Sequence, residues 1–371
     1  METLNRYREI LETLKANDNY RSFPESDSGN LLNLCSNDYL GLNSNKEFHD
    51  NFLAEFKRKT YKFSSCSSRL LSGNSIEHTK LEKLLADSYQ SEACLLYNSG
   101  YHANVGIISA LASKKDLIIA DKLVHASIID GAKLSNATVI RFKHLDYLHL
   151  ENILKKNRKN YENVFIISES IFSMDGDIAD LERLIELKQK YNCLLYIDEA
   201  HAFGVRGNNG LGCVEESQVI NEIDFIVGTF GKAIASIGAF VICSNLFRQY
   251  LINHSRSLIF TTALPPINIA WTIYILKKLP ELNQEREKLK SLSMQFAKML
   301  NRETQSHIIP FIIGTNKNAI DKSIELKQNG FTILPIRYPT VPKGTARLRF
   351  SLNANMDIKQ LIPIKNILKK Q

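Results

Sequence analysis

The chain has 371 residues, 44% of them hydrophobic and 23% charged, and its 47 Lys and Arg against 39 Asp and Glu give a formal charge of +8. That is room for two domains or one large α/β body with appendages, in the composition of a globular protein, which disfavours disorder, collagen and solenoid architectures. The longest apolar runs, such as Leu117 to Ala120 and Phe225 to Val227, fall far short of the roughly 20 residues a membrane span requires.

The basic excess is spread, with small clusters at Lys155, Lys156, Arg158 and Lys159 and at Lys369 and Lys370. No basic stripe interleaved with aromatics points to nucleic acid. The excess reads as solvated surface or as attraction for an acidic partner, such as a phosphorylated cofactor, coenzyme A or an acidic carrier protein.

Residues 1–19 place Leu4, Tyr7, Ile10, Leu11 and Leu14 at helical spacing, which predicts an amphipathic helix. Charges at every turn and no apolar core predict that this is not a signal peptide. Cys35, Cys66, Cys94, Cys193, Cys213 and Cys243 form no C-x-x-C pair, so they read as free thiols in a reducing compartment and the expected address is the cytoplasm. A polar loop, S-D-S-G-N at 26–30, precedes L-L-N-L-C-S-N-D-Y-L-G-L, read as an apolar strand ending in an Asn-Asp turn. Residues 76–89 return to helical spacing.

Apolar strand, polar end residue, loop and helix then repeat. The strands are 116–121, 164–170, 193–200 and 224–232, and 180–191 is a helix between two of them. Near-continuous apolar strands separated by helices predict a mostly parallel sheet covered on both faces. Ligands sit beyond the carboxyl ends of such strands, where Asp121, Glu169, Asp198 and Lys232 fall. After Pro265-Pro266 come a long helix, a charged helix at about 281–300, and short strands around I-I-P-F-I-I-G and T-I-L-P-I-R-Y. The pattern predicts an N-terminal segment over 1–45, a large α/β domain over 46–270 and a smaller C-terminal α+β domain over 271–371.

Lys232 lies in G-T-F-G-K-A at a strand end, but Ile226 and Ala233 stand where a P-loop needs Gly and Ser or Thr. Such a lysine is either solvated or held in a dry cleft as a Schiff-base nucleophile. Asp198 and His201, in Y-I-D-E-A-H-A-F-G, weigh for the cleft: the carboxylate points into the crevice and the imidazole arrives from the following turn. Metal ligation lacks further ligands, because His144 and His149 have unsuitable spacing. An imine-forming lysine, an aspartate able to pair with a ring nitrogen and phosphate-binding donors describe a pyridoxal phosphate site. His125 is a candidate to sandwich the ring, or a structural histidine. N-S-G-Y-H-A-N at 98–104 opens a helix that could take phosphate, with Thr229 just before the lysine.

Four blocks together resemble the α-oxoamine synthases, fold-type I pyridoxal phosphate enzymes that condense an amino acid with an acyl thioester and release carbon dioxide. They are S-N-D-Y-L-G-L (36–42), F-S-M-D-G-D (172–177), D-E-A-H-A-F-G-V-x-G-x-x-G-L-G (198–212) and T-F-G-K (229–232). The block P-T-V-P-K-G-T-A-R-L-R (339–349) resembles the branch that joins L-alanine to a pimeloyl thioester on the way to biotin. The resemblance implies that Lys232 holds the cofactor and acts as base, that His125 stacks on its ring and that Asp198 pairs with the ring nitrogen. His201 and Ser173 would contact the phenolic oxygen, and Thr229 with the Gly100 and Tyr101 amides would bind phosphate. Thr262 matches a residue reaching in from a second subunit, which implies a homodimer with shared sites. Arg349 and Asn37 would hold the substrate carboxylate, with Thr340 and Arg21 as further substrate contacts.

The chain also departs from the family pattern, with K-F-S-S-C-S-S-R (62–69) serine-rich and A-I-A-S after the lysine. These bear on the acyl tunnel's shape and hence the chain length accepted, while the scattered basic residues leave open whether the donor is pimeloyl-CoA or a pimeloyl-acyl carrier protein. Sibling enzymes using glycine or serine, or a subunit without turnover, are the alternatives; Lys232 speaks against the last.

Overall fold

A computed structural model describes residues 2–24, 31–57 and 60–369. The polar stretch read at 26–30, and Lys370, lie outside the described residues. The chain divides into two compact units, one of residues 1–37, 174–176 and 288–371, the other of residues 38–173 and 177–287. The N-terminal segment expected over 1–45 is thus split at 37/38, and the boundary expected at 270/271 falls at 287/288. Helix Pro266–Lys278, expected to open the C-terminal domain, instead packs on helix Ile76–Ser88 within the larger unit.

The smaller unit opens with helix Glu2–Ala16, whose Leu4, Tyr7, Ile10 and Leu11 are exposed. Of the strand expected over 31–42, only β1 (Leu32–Asn33) forms. The reason is a side chain: Asn33 Oδ1 accepts the Cys35 and Ser36 N–H groups at 2.8 and 3.1 Å, turning the chain out of extension.

In the larger unit seven strands make one sheet: β2 (Ala93–Tyr97), β3 (Leu117–Asp121), β4 (Thr138–Phe142), β5 (Val164–Glu169), β6 (Leu194–Asp198), β7 (Phe225–Thr229) and β8 (Ala239–Cys243). Their order is β2-β8-β7-β6-β5-β3-β4. All pairs are parallel except those of β8, which runs against both β2 and β7. β3, β5 and β7 are buried along their whole length, as their unbroken apolar runs require when helices cover both faces. Helix Leu181–Tyr191 has a clear apolar stripe with Leu184 and Leu187 buried, starts where Asp180 accepts the Arg183 N–H at 3.0 Å, and stops at left-handed Asn192.

β7 returns directly to β8 through residues 230–238. Thr229 pairs with Ala239, Phe230 donates its N–H to the Gly238 carbonyl at 2.9 Å, and the Ser236 N–H reaches Phe230 at the same distance. Gly238 has φ +114°, and a Cβ there would meet Leu264 at 2.8 Å, so both the backbone angle and the space demand glycine.

Back in the smaller unit, β9 (Ile308–Gly314), β10 (Phe331–Thr332), β11 (Pro335–Ile336) and β12 (Ala346–Ser351) follow. β11, β12 and β9 form an antiparallel sheet with β12 central, and β10 pairs in parallel with β1. That pairing explains why the N-terminal residues belong with the C-terminal ones. No helix among the described residues is long and apolar enough to cross a membrane.

Candidate active site

The carboxyl ends of β5, β6 and β7 gather the larger unit's chemistry. Asp198, the last residue of β6, is 5% exposed. Its Oδ2 accepts from Asn104 Nδ2 at 2.8 Å and its Oδ1 from the Ala200 N–H at 2.9 Å. Asn104 is held in turn by the Tyr196 hydroxyl at 2.5 Å and donates to Ser127 Oγ at 2.9 Å. Ser127 Oγ meets His125 Nδ1 at 2.7 Å. One hydrogen-bonded chain therefore runs from the carboxylate to the imidazole.

His125 is the N-cap of helix Ala126–Leu134 and its side chain accepts the Ser127 N–H. Much of the residue is open to solvent, and its pKa still falls below the ordinary histidine value: surrounding atoms desolvate the charged form, against the pull of Asp198 and with the help of Lys232. A neutral ring facing an open space suits stacking.

Lys232 sits three residues past β7 and is half-buried. Its Nζ lies 2.6 Å from His201 Nε2, and His201 Nδ1 lies 2.7 Å from Tyr39 Oη. An ammonium can only donate, so with Lys232 charged Nε2 accepts, Nδ1 carries the ring hydrogen and Tyr39 Oη accepts it. His201 and Tyr39 are buried, which fixes the imidazole from both sides.

At helix Gly100–Leu111, Ser99 caps the N-terminus by accepting the His102 N–H at 3.2 Å. The Gly100 and Tyr101 amides belong to the first turn, whose N–H groups have no acceptor inside the helix. Thr229 closes on this turn: a Cβ on Gly100 would stand 3.8 Å from its Oγ1. The Thr229 hydroxyl donates to the Gly238 carbonyl at 3.0 Å and accepts the Gly231 N–H at 3.2 Å, so it must turn to meet an anion. The Tyr101 hydroxyl donates to Asp130 at 2.7 Å. Ser173 is buried, and Thr262 is exposed with its carbonyl accepting from Asn98 Nδ2 at 2.7 Å.

In the smaller unit, Arg349 on β12 is 8% exposed and donates to Asn37 Oδ1 at 3.2 Å and Ser351 Oγ at 2.5 Å. Arg21 Nη2 donates to Thr340 Oγ1 at 3.1 Å, so the two further substrate candidates meet each other. Arg347 pairs with Asp175 of F-S-M-D-G-D.

Sequence reasoning passed over Tyr39, although it quoted S-N-D-Y-L-G-L, and missed Asn104, Tyr196 and Ser127. Only a buried polar residue in an apolar run, Tyr196 beside Ile197, hinted at the network. His144 is tied to Asp121 at 2.9 Å and Asp177 at 3.1 Å and packs edge-on against Phe172. Burial opposes its charge, but those two carboxylates win and raise its pKa to about 9. No group of His, Cys, Asp and Glu that could hold a metal occurs among the described residues.

The donor set fits pyridoxal phosphate: a half-buried amine, a buried carboxylate, a helix N-terminus with a hydroxyl beside it, and an imidazole facing open space. Sequence comparison agrees. The aminotransferase class I and II model matches residues 29–364, and the chain belongs to that family. A Haemophilus influenzae protein provisionally named 8-amino-7-oxononanoate synthase is 48% identical over 368 residues, covering 95% of this chain and 97% of that one. Among solved structures, an 8-amino-7-oxononanoate synthase from Francisella tularensis is similar with a TM-score of 0.78 and 30% identity over 93% of this chain and 98% of that one. A serine palmitoyltransferase from S. paucimobilis, solved with PLP and myriocin bound, is similar with a TM-score of 0.88 and 26% identity over 99% of this chain and 96% of that one.

Proposed function

We propose that this enzyme condenses L-alanine with a pimeloyl thioester, carried on coenzyme A or acyl carrier protein, to 8-amino-7-oxononanoate with loss of carbon dioxide, a step of biotin biosynthesis. The observation that carries the reading is the Lys232 amine 2.6 Å from His201, at the sheet end that also holds buried Asp198. Near-full-length similarity to 8-amino-7-oxononanoate synthases supports the choice of product.

Lys232 would hold pyridoxal phosphate through its aldehyde carbon, the Gly100 and Tyr101 amides with Thr229 would take its phosphate, and His125 would lie against its ring. When bound, the cofactor supplies an electron sink for negative charge at the amino-acid Cα. Asp198, which accepts from Asn104 and from the Ala200 N–H, would pair with the ring nitrogen. His201 and Ser173 would contact the phenolic oxygen. Lys232, with its amine free, would take the proton from Cα. Arg349, steadied by Asn37 and Ser351, would grip the alanine carboxylate and orient the bond to be broken. Arg21 and Thr340 would contribute as a pair. Exposed Thr262, and the exposed apolar stripe of helix Glu2–Ala16, support a homodimer in which Thr262 reaches the partner's phosphate site. Six cysteines without disulfides support the cytoplasm as its address.

The likeness to serine palmitoyltransferase favours a second reading, a sibling enzyme taking another amino acid or a longer acyl chain. Purified protein loaded with pyridoxal phosphate and pimeloyl-CoA is offered alanine, glycine and serine in turn, and thiol release and product mass are followed. Product with alanine is expected; turnover confined to glycine or serine would move the assignment to the sibling. Lys232→Ala should lose at least about 10³-fold in turnover, together with the visible absorbance band of the loaded protein.

A further inference from the structure

Glu169 is a buried carboxyl at the sheet end that the chemistry above leaves unused. It closes β5, is 2% exposed, and its Cα partner on β6 is Asp198. Residues in register on neighbouring parallel strands have backbones about 4.8 Å apart and side chains on the same face, and both of these carboxyls are buried. A neighbouring carboxylate disfavours a second buried negative charge, and Asp198 raises the pKa of Glu169. The two carboxyls have different donors. Asp198 accepts from Asn104 Nδ2 and from the Ala200 amide, at 2.8 and 2.9 Å, whereas Glu169 Oε1 accepts the backbone N–H of His125 at 2.5 Å.

We infer that Glu169 is a positioning residue that stays protonated at neutral pH, while its carbonyl oxygen fixes the turn that presents His125. The inference deepens the proposed function and rests on its assignment of Asp198 and His125 to the cofactor. The groups facing Glu169 are Asp198 on β6, Lys232 after β7, Asp121 on β3 and His125 at the start of its helix. Burial raises its pKa most, Asp198 adds to that, Lys232 and the His125 N–H oppose, and the outcome is about 8.

Carbon-13 NMR of the full-length protein labelled at glutamate carboxyls, before and after loading with pyridoxal phosphate, tests this. Two glutamates should titrate far above the rest, Glu199 near 7 and Glu169 near 8, and the higher one should vanish in Glu169→Gln. In the loaded enzyme Glu169→Ala should lower kcat/KM about 30-fold. Glu169→Gln, a neutral group that still offers an acceptor oxygen, should recover all but about threefold of it and lose the change in activity near pH 8. A Glu169 that titrates at about 4 to 5 with ordinary glutamates, or a Gln variant as impaired as Ala, would overturn the inference. The carbon titration needs no cofactor, so a protein unable to bind pyridoxal phosphate would sink the functional reading and leave Glu169 still to be judged.

Discussion

At the carboxyl end of the larger sheet, buried Asp198, Glu169 and His201 lie with half-buried Lys232 and more exposed His125 in one cluster of titratable groups. On the antiparallel ladder of the smaller unit, Arg349 stands on β12 with Asn37 and Ser351 as oxygen acceptors. The first cluster can redistribute its protons when one member changes. The second offers a guanidinium, whose rigid fork of N–H donors has no acceptor of its own. Substitutions in the first should therefore be strongly pH-dependent and non-additive, and those in the second flat with pH.

The largest effect that separates them is expected for Asp198→Asn, which keeps shape and burial but removes the anion. Its kcat/KM should fall by about 10² to 10³, with an altered pH profile, and combining it with Glu169→Gln should cost less than the sum of the two. Steady-state kinetics on the four-member cycle decide this, and strict additivity would break the contrast. Next comes Arg349→Lys, which keeps the charge but loses the planar fork. The KM for alanine should rise about 10- to 100-fold, equally across pH, while cofactor affinity measured by absorbance stays unchanged.

The smallest effect concerns stability. His144 is raised to about 9 in the fold, against an ordinary value near 6.5. Its stabilising contribution is fully present below about pH 6.5 and is lost as pH rises through 9, since the folded state binds the extra proton across that window. His144→Gln should remove about 2 kcal/mol of this pH-dependent stability, partial exposure having been allowed for, so denaturant midpoints of the two proteins should converge toward pH 9. Parallel curves would show the carboxylates binding His144 no more tightly than water does.

What the sequence made legible follows the same division. Strands at 116–121, 164–170, 193–200 and 224–232 were readable because each is an unbroken apolar run, and the structure places β3, β5, β6 and β7 within them. β4 is mixed in burial and β8 lacks a polar end residue, so neither gave that signal. Asp198 and His201 lie in one short motif and could be read together. Tyr39 and His201 are 162 positions apart, and Arg21 and Thr340 are 319 apart, so no local spacing announces their meeting. Asn104 was invisible for another reason: helix interior positions carry polar residues for many purposes, and only the third dimension shows one turned toward a carboxylate.

The direct return of β7 into β8 has a consequence for how far the Lys232 amine can travel. Lys232 rides on a short tether anchored at both ends to ladder partners, so the backbone has almost no slack to follow a departing or arriving group. Any swing of the nitrogen falls to the rotation of its own four methylenes, and lengthening the tether by even one residue would let the nitrogen wander.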